Sequence, residues 1–542
     1  MDNAETAPSY DYVIVGGGTA GCVLANRLSA DPSVGVLMIE AGGDGRGFHV
    51  DMPMGLAFLV GNPKYDWLYK TSPEPYLDGR ELNVPRGKML GGCSSINGMV
   101  YVRGHAQDYD HWAQLGNRGW SWNDVLPYFK RSQTFHRSDL EAHGTGGEWH
   151  ISDPGVRWEA LDAYREAAIE QGIPATEDYN SGESEGVAYF VASIHKGKRN
   201  STARASLRPV EGRRNLTVVT GATVDRIAFD GRTARSVIFS QGGHRREARA
   251  VREIVLSAGA YGSPAILERS GVGAREVLDN AGIETVHHLP GVGENLQDHW
   301  HIRVQHRVSN TRTFNHRAGS WFGRMLMGAE YAALKRGPLS GQPTLLAAFT
   351  RVMPEAASPD VQIHVSAYSA DRVGAAMHPF PGITSSVCIL RPQSRGHCHV
   401  TGSDPATQPE IVHNYLKEEY DREIAVRSVE LVRRIAASPA LARFEPEEIA
   451  PGAACRSQDE LLDYARRIVT TTFHPVGTCR MGRDRLAVVD DRLKVHGLDR
   501  LRVVDASVMP TIVSGNTAAP TVMIAEKAAD FIREEATAAR AA

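Results

Sequence analysis

The sequence lacks any long run of one charge, any apolar stretch of membrane-spanning length, any internal repeat and any paired cysteine motif. Each absence excludes a class of function. Lys and Arg number 60 against 63 Asp and Glu, for a net charge of -3. Without a basic run there is no electrostatic footprint for nucleic acid. The longest apolar stretches are strand-sized, short of the ~20 residues a spanning helix needs. The chain is therefore expected to be soluble, without a membrane span and at most peripheral on a membrane. Residues 1–11 are polar and acidic rather than a basic segment leading into an apolar one, so no export signal is read and a cytoplasmic location is expected. Cys22, Cys93, Cys388, Cys398, Cys455 and Cys479 are scattered and form no C-x-x-C pair, as suits reduced, packed thiols. His397-Cys398-His399 and the pair His299 and His301 place alternate residues on one strand face, but no further ligand follows at a convincing spacing. They read as ordinary strand residues, and no metal is expected.

What is present begins with glycine. Gly16-x-Gly18-x-x-Gly21 follows the apolar run Tyr12 to Val15 and opens a helical pattern from Thr19 to Ser29. The first glycine permits a tight turn, the second lets the backbone approach a pyrophosphate, and the third lets the helix pack on its strand. Pyrophosphate then sits on the N–H groups of the first turn, at Thr19 and Ala20. Glu40, followed by Ala41, ends the next apolar run, Val34 to Ile39, and lies 19 residues beyond Gly21. That is the interval expected of a carboxylate that takes the ribose hydroxyls. It repels a 2'-phosphate, so the pattern favours an adenine dinucleotide other than NADP. Gly17 allows an ordinary tight turn as the competing reading, which the strand, helix and Glu40 in register disfavour.

At 542 residues the chain exceeds one ordinary core, so two domains or one composite body are expected. Strand-like runs recur at Leu216 to Val219, Val224 to Phe229, Ser236 to Phe239 and Ile254 to Leu256, rich in β-branched residues. Leu501 to Val504 leads into Asp505-Ala506 and then a helical pattern from Thr521 to about Glu535, with Pro520 suited to its first turn. Between these lies a stretch that alternates strands such as Val361 to Val365 with amphipathic helices such as Glu423 to Ile435.

Five further motifs carry a resemblance. Gly87-Lys88-Met89-Leu90-Gly91-Gly92-Cys93-Ser94-Ser95-Ile96-Asn97, with Val100-Tyr101-Val102-Arg103-Gly104-His105 after it, resembles the first signature of the glucose-methanol-choline (GMC) oxidoreductases. Gly259-Ala260-Tyr261-Gly262-Ser263-Pro264, closed by Ser270-Gly271-Val272-Gly273, resembles the second, although Glu268 replaces the usual apolar residue. Gly291-Val292-Gly293-Glu294-Asn295-Leu296-Gln297-Asp298-His299, His474-Pro475-Val476-Gly477-Thr478-Cys479-Arg480-Met481-Gly482 and Ser514-Gly515-Asn516-Thr517-Ala518-Ala519-Pro520 follow in family order.

The resemblance implies an α/β (α+β overall) fold, with a Rossmann-like FAD-binding domain and an inserted substrate-binding domain whose antiparallel sheet is flanked by helices. The FAD-binding parts are expected at 1–155, 201–300 and 470–542, and the substrate-binding parts at 156–200 and 301–469. The cofactor implied is FAD, consistent with the glycine pattern because a flavin carries the same ADP half. Gly16, Gly18, Glu40 and Val224 would hold that half. Gly91 and Gly92 belong to the first signature, and Asn97, Gly98, Met99 and Val100 would meet the isoalloxazine edge. Asp505 and Ala506 would touch the ribityl or phosphate region, and Thr517 with the helix start beyond it would face the pyrimidine. Some relatives attach the flavin through a His before the Asn of the first signature; Ile96 stands there, so the FAD is expected to be non-covalent.

His474 is the expected base, an imidazole of ordinary pKa near ~6.5 that takes the hydroxyl proton at neutral pH. It is preferred over His378-Pro379 because Gly477 to Gly482 follow it as in the family. Asn516 is expected to donate a hydrogen bond to the developing alkoxide, and it also suits a helix cap. Trp67, Tyr368, Phe380 and Phe473 are candidate pocket residues. Phe473 stands where choline-oxidising relatives often carry Tyr, which disfavours a quaternary ammonium. The expected reaction is oxidation of a primary alcohol to the aldehyde by a dehydrogenase with a quinone-like acceptor. The alternative is an oxidase of the same family using O2 and giving H2O2. Two distant readings are a serine hydrolase, from Gly182-x-Ser184-x-Gly186, and a non-catalytic flavin-binding protein. The elbow motif needs a strand before it and a helix after it, whereas Val187 to Val191 reads as a strand.

Overall fold

Residues 7–137, 141–371 and 375–541 are described by the computed structural model. Of the polar start read at residues 1–11, residues 1–6 lie outside the described residues. Two seven-stranded sheets with separate apolar cores organise the described residues. The first runs in the order Leu216–Val219, Val36–Ile39, Ser9–Val15, His244–Leu256, Thr233–Gln241, Ala222–Asp230, with Leu501–Val503 pairing to His244–Leu256. Its central strands are parallel and buried toward their carboxyl ends, as continuous apolar runs such as Val13-Ile14-Val15 require. Helix Thr19–Leu28 packs on helix Ala518–Ala541, and buried Ala25, Ala525, Ala528 and Ala529 let the two approach closely.

Register sets the site. Val15 lies level with Ile39 on one side and Leu256 on the other, and Leu256 lies level with Val503. The residues that follow these strand positions, Gly16, Glu40, Ser257 and Val504, therefore share one carboxyl edge, where open parallel sheets take ligands.

The second sheet is antiparallel, in the order Glu447–Ala450, Trp300–Arg307, Gly382–Ile389, Val361–Ser366, Leu346–Thr350, Gly186–Tyr189. Thr470–Thr471, at the expected start of the last FAD-binding part, pairs with Trp300–Arg307 here. One face, with Trp300, Ile302, Val304, Ile363, Val365 and Val387, packs against helices Glu159–Glu170, Glu419–Ala436 and Gln458–Ile468. The opposite face is polar, because the strands alternate with a period of two.

Strand His244–Leu256 is far longer than the apolar run Ile254 to Leu256 that announces it. Its first half reads His244-Arg245-Arg246-Glu247, charged outward while Ala248 and Ala250 turn inward, so small buried residues conceal the alternation. Helix Ala518–Ala541 begins three residues before Thr521, with Pro520 in its first turn. The departure at Glu268 has a partner: its carboxylate meets His399 Nδ1 at 2.7 Å and accepts the Val400 N–H at 2.8 Å. Burial opposes charge on His399, but Glu268 and Glu294 outweigh it and lift its pKa to about 9. Strand Gly186–Tyr189 follows Gly182-x-Ser184-x-Gly186 directly, so the strand-to-helix elbow of a hydrolase is not formed.

Candidate active site

The turn after Ser9–Val15 requires glycine at its first position. Gly16 has φ +101° and a Cβ there would lie 2.5 Å from the Ser257 carbonyl oxygen. A Cβ on Gly21 would lie 1.9 Å from the Gly16 oxygen, so Gly21 seats the helix and does not reach the cleft. Gly18 lines the cleft, and a Cβ on it would meet the Ser257 carbonyl oxygen only at 3.7 Å, an ordinary contact. The helix that begins there has no side-chain cap and no acid in its first turn, leaving unpaired N–H groups and partial positive charge at Thr19 and Ala20. Glu40 accepts the Gly17 N–H at 2.9 Å with one oxygen and the Gly42 N–H at 2.8 Å with the other. Burial raises its pKa and these donors oppose the rise. Ala41 and Val224 line the same end of the cleft. Gly92 presses on Gly18, a Cβ there falling 2.8 Å from its Cα, while Gly91 packs behind against Ser95 and Ala203.

Farther along, Asn97, Gly98, Met99 and Val100 line the cleft. Asn97 Oδ1 accepts the Met99 N–H at 2.9 Å and Arg199 Nη1 at 3.0 Å. Ala506, Thr517 and the start of Ala518–Ala541, which has no acid in its first turn, face the same space. Asp505 lines it too, but its carboxylate is spent on the turns, accepting the Gly259 N–H, the Ser263 hydroxyl and the Ser507 N–H.

At the inner end His474 and Asn516 meet, Asn516 Nδ2 lying 3.0 Å from His474 Nε2. Behind His474 stands His299, with its Nδ1 3.1 Å from His474 Nδ1 and its Nε2 3.1 Å from the Leu390 carbonyl oxygen. The proton positions follow from that carbonyl. It can only accept, so His299 Nε2 carries the hydrogen; His299 Nδ1 then accepts from His474 Nδ1–H, and the lone pair of His474 is left on Nε2. The carboxamide nitrogen of Asn516 donates to that lone pair, and Gln362 Nε2 donates to Asn516 Oδ1 at 3.4 Å. The backbone is clamped on both sides. Asp298 accepts the His474 N–H at 2.7 Å, Arg86 holds the Phe473 carbonyl at 2.7 Å, and Phe473 itself has φ +69°. Such left-handed conformations in non-glycine residues persist where surroundings impose them.

The expected ordinary imidazole is corrected here. Burial, then the nearby His299, His364, Arg86 and His301, push the His474 pKa well below the usual histidine value. Burial likewise takes His299 down to about 3. Both rings are neutral at physiological pH, which is the state a proton acceptor requires.

The polar face of the antiparallel sheet roofs this end. Trp67, Tyr368 and Phe473 line it; Phe380 does not, being stacked on His378 at 4.9 Å beneath the Arg307 guanidinium. The comparisons with known proteins bear on what such a cleft serves. Family models described as GMC oxidoreductase match residues 10–301 and 392–525. The chain belongs to the GMC oxidoreductase family. Like other GMC oxidoreductases it is an FAD-dependent enzyme acting on alcohols. Its curated relatives include an oxygen-dependent choline dehydrogenase of Pectobacterium atrosepticum, 41% identical over 529 residues, covering 97% of this chain and 94% of that protein. Another of that description, from Pseudomonas entomophila, is 41% identical over 531 residues, covering 97% and 94%. Among solved structures, pyridoxine 4-oxidase from Mesorbium loti superposes with TM-score 0.87 at 35% identity, covering 96% of this chain and 98% of that one. Formate oxidase from Aspergillus oryzae gives TM-score 0.91 at 27% identity, covering 97% and 98%.

The residues present fit the family's FAD. Two helix starts with no acid in the first turn face the cleft, at Thr19 and Ala518, the first of them without a side-chain cap, and Gly16 and Gly92 stand where a Cβ would press on the backbone of its floor. Residues that sequence reasoning passed over are His299, His301, Arg303, Gln362 and His364. For all but His299 the signal was present as the polar alternation His301-x-Arg303-x-Gln305 and Gln362-x-His364-x-Ser366, with apolar residues between.

Proposed function

We propose that the enzyme oxidises a primary alcohol to the aldehyde with His474 as the base and Asn516 as the alkoxide donor. FAD, when bound, supplies the two-electron oxidant and would accept the hydrogen and electron pair of the carbinol C–H bond. His474 Nε2 takes the hydroxyl proton as the C=O bond forms. The observation that carries this reading is the chain from the Leu390 carbonyl through His299 to His474, which leaves a lone pair on Nε2 in contact with the Asn516 amide. Asn516 is held by Gln362 so that its N–H bonds point where negative charge develops. A low proton affinity keeps His474 ready, and the charge that grows on the substrate oxygen offsets the burial that lowers it.

The reading extends to non-covalent FAD, because Ile96 offers no side-chain nucleophile before Asn97, and to a quinone-like acceptor rather than O2. The pyridoxine and formate oxidases among the structural neighbours favour the oxidase as the second reading. Anaerobic mixing of the yellow holoenzyme with primary alcohols tests the reaction: flavin absorbance bleaches and aldehyde appears in equal amount. Retention of colour with every alcohol overturns it. Reoxidation of the bleached enzyme by O2 as fast as by a quinone replaces the dehydrogenase with the oxidase, and colour that stays on acid-precipitated protein rules out dissociable FAD.

A further inference from the structure

Three strands of the antiparallel sheet present matched polar rows to the cleft. His301 pairs with Cys388 and Cys388 with Gln362, in the row over the His474 and Asn516 pair. One row outward, Arg303 pairs with Ser386 and Ser386 with His364; beyond that, Gln305 pairs with Thr384 and Thr384 with Ser366. The outermost row is satisfied within the protein, since Gln305 Nε2 donates to the Ala370 carbonyl at 2.7 Å and to Thr384. The middle row is not. Arg303 is only 9% exposed, its guanidinium makes no ion pair or hydrogen bond among the described residues, and its buried Nε has no partner. The Nε2 atom of the neighbouring His364 is also unpartnered. Arg303, His364, Ser366, Tyr368 and Ser386 all line the cleft.

A buried cation without a counter-ion is costly, and interiors hold one only where something pairs with it. Burial depresses the Arg303 pKa, and the charged neighbours that His474 feels most are likewise cationic or imidazole. Among the described residues no Asp or Glu lines this half of the cleft; Glu40 and Asp505, the two described acids along its length, serve the glycine turn and the strand-end turns. An ammonium group placed beside Arg303 would meet like charge and no carboxylate. The strand rows repeat every two residues, so the guanidinium lies on the order of 7 Å along the sheet from the row over the catalytic pair.

We propose that Arg303 is the anchor for a carboxylate on the substrate, so that the enzyme oxidises hydroxymethyl groups on carboxylate-bearing molecules rather than choline. This rests on the alcohol-oxidation reading and names its substrate class. One guanidinium flanked by neutral imidazole balances a monoanion, and its fork matches the two carboxylate oxygens; a phosphate dianion would leave charge unpaired. Trp67, Tyr368 and Phe473 suit a flat spacer between the two ends.

The test compares 4-(hydroxymethyl)benzoate, benzyl alcohol and choline as reductants of the holoenzyme under anaerobic conditions, in wild type, Arg303→Met and Arg303→Lys. The wild type should reduce fastest, per unit of substrate bound, with the carboxylate, by about tenfold or more over benzyl alcohol. Arg303→Met should abolish that preference while benzyl alcohol still bleaches the flavin, and Arg303→Lys should restore part of it. A binding readout stands apart from turnover: 4-methylbenzoate, which has no hydroxyl, should perturb the flavin spectrum of wild type and bind at least about tenfold more weakly to Arg303→Met. Equal binding of 4-methylbenzoate to both proteins, or a wild-type preference for choline, overturns the assignment. Failure of every alcohol to bleach the flavin, with 4-methylbenzoate still discriminating, overturns the reaction and leaves the anion site standing.

Discussion

The two ends of the cleft are built by opposite means. The dinucleotide end is made of backbone: glycines whose missing side chains open the turn, N–H groups of the helix start after Gly18, and one carboxylate that braces the floor. The substrate end is made of side chains brought together from distant strands, with His474 touching His299 and Asn516, and Asn516 touching Gln362. At Gly16, Gly21 and Gly92 an added Cβ would press on backbone, whereas side-chain sites tolerate substitution at the expense of rate or selectivity. The difference teaches where this enzyme is free to vary and where it is not.

Substitutions sharpen that contrast, beginning with the most severe. Gly21→Ala sets a methyl group 1.9 Å from the Gly16 carbonyl oxygen, so the purified protein should carry no FAD; a full complement of flavin in its absorbance spectrum would break the backbone account. Asn516→Ala should keep its flavin and lose about 10²-fold in the rate of flavin reduction. Loss of the cofactor instead would move Asn516 from chemistry to structure.

His299 tests the positioning of the base. It holds a tautomer rather than stabilising a charge, so His299→Ala should slow reduction on the order of 10-fold, less than removal of Asn516. His299→Gln, which can donate to the Leu390 carbonyl and accept from His474, should recover most of that loss, an outcome a mere packing role would not give. The pH profile sharpens the same point. A base works unprotonated, and the folded pKa of His474 is lowered, so rate is lost only as pH falls through that lowered value. Flavin reduction should stay level from pH ~8 down to ~6.5, the unperturbed histidine value; a decline centred near ~6.5 would contradict the burial of the ring. At the mild end, Phe380→Ala should leave substrate binding within about 2-fold, since Phe380 packs on His378 outside the cleft. A large change in apparent Kd would return it to the pocket.

How far the sequence could be read follows the same division. The glycine turn, Glu40 and the parallel strands are local patterns, and each requires its residues in a fixed order along the chain. The helix starts at Thr19 and Ala518 were legible within a few residues for that reason. The long strand ending at Leu256 was not, because Ala248 and Ala250 are its inward residues and arginines surround them. His299 and His301 looked like plain strand residues, since nothing near them in sequence shows that Thr471 and His474 fold back beside them. Phe380 was legible as an aromatic and not as an outward one. Arg303 lay in a strand of alternating polar and apolar residues, and only the pairing of three strands shows that it faces the cleft without a counter-ion.

The central claim is that His474, held neutral with its lone pair on Nε2, takes the substrate proton. Stopped-flow reduction of the flavin by an accepted alcohol, without oxygen, in wild type and His474→Ala tests it most directly. With FAD content equal in the two proteins, the variant should reduce at least ~10²-fold more slowly. A variant that bleaches at the wild-type rate would contradict the account.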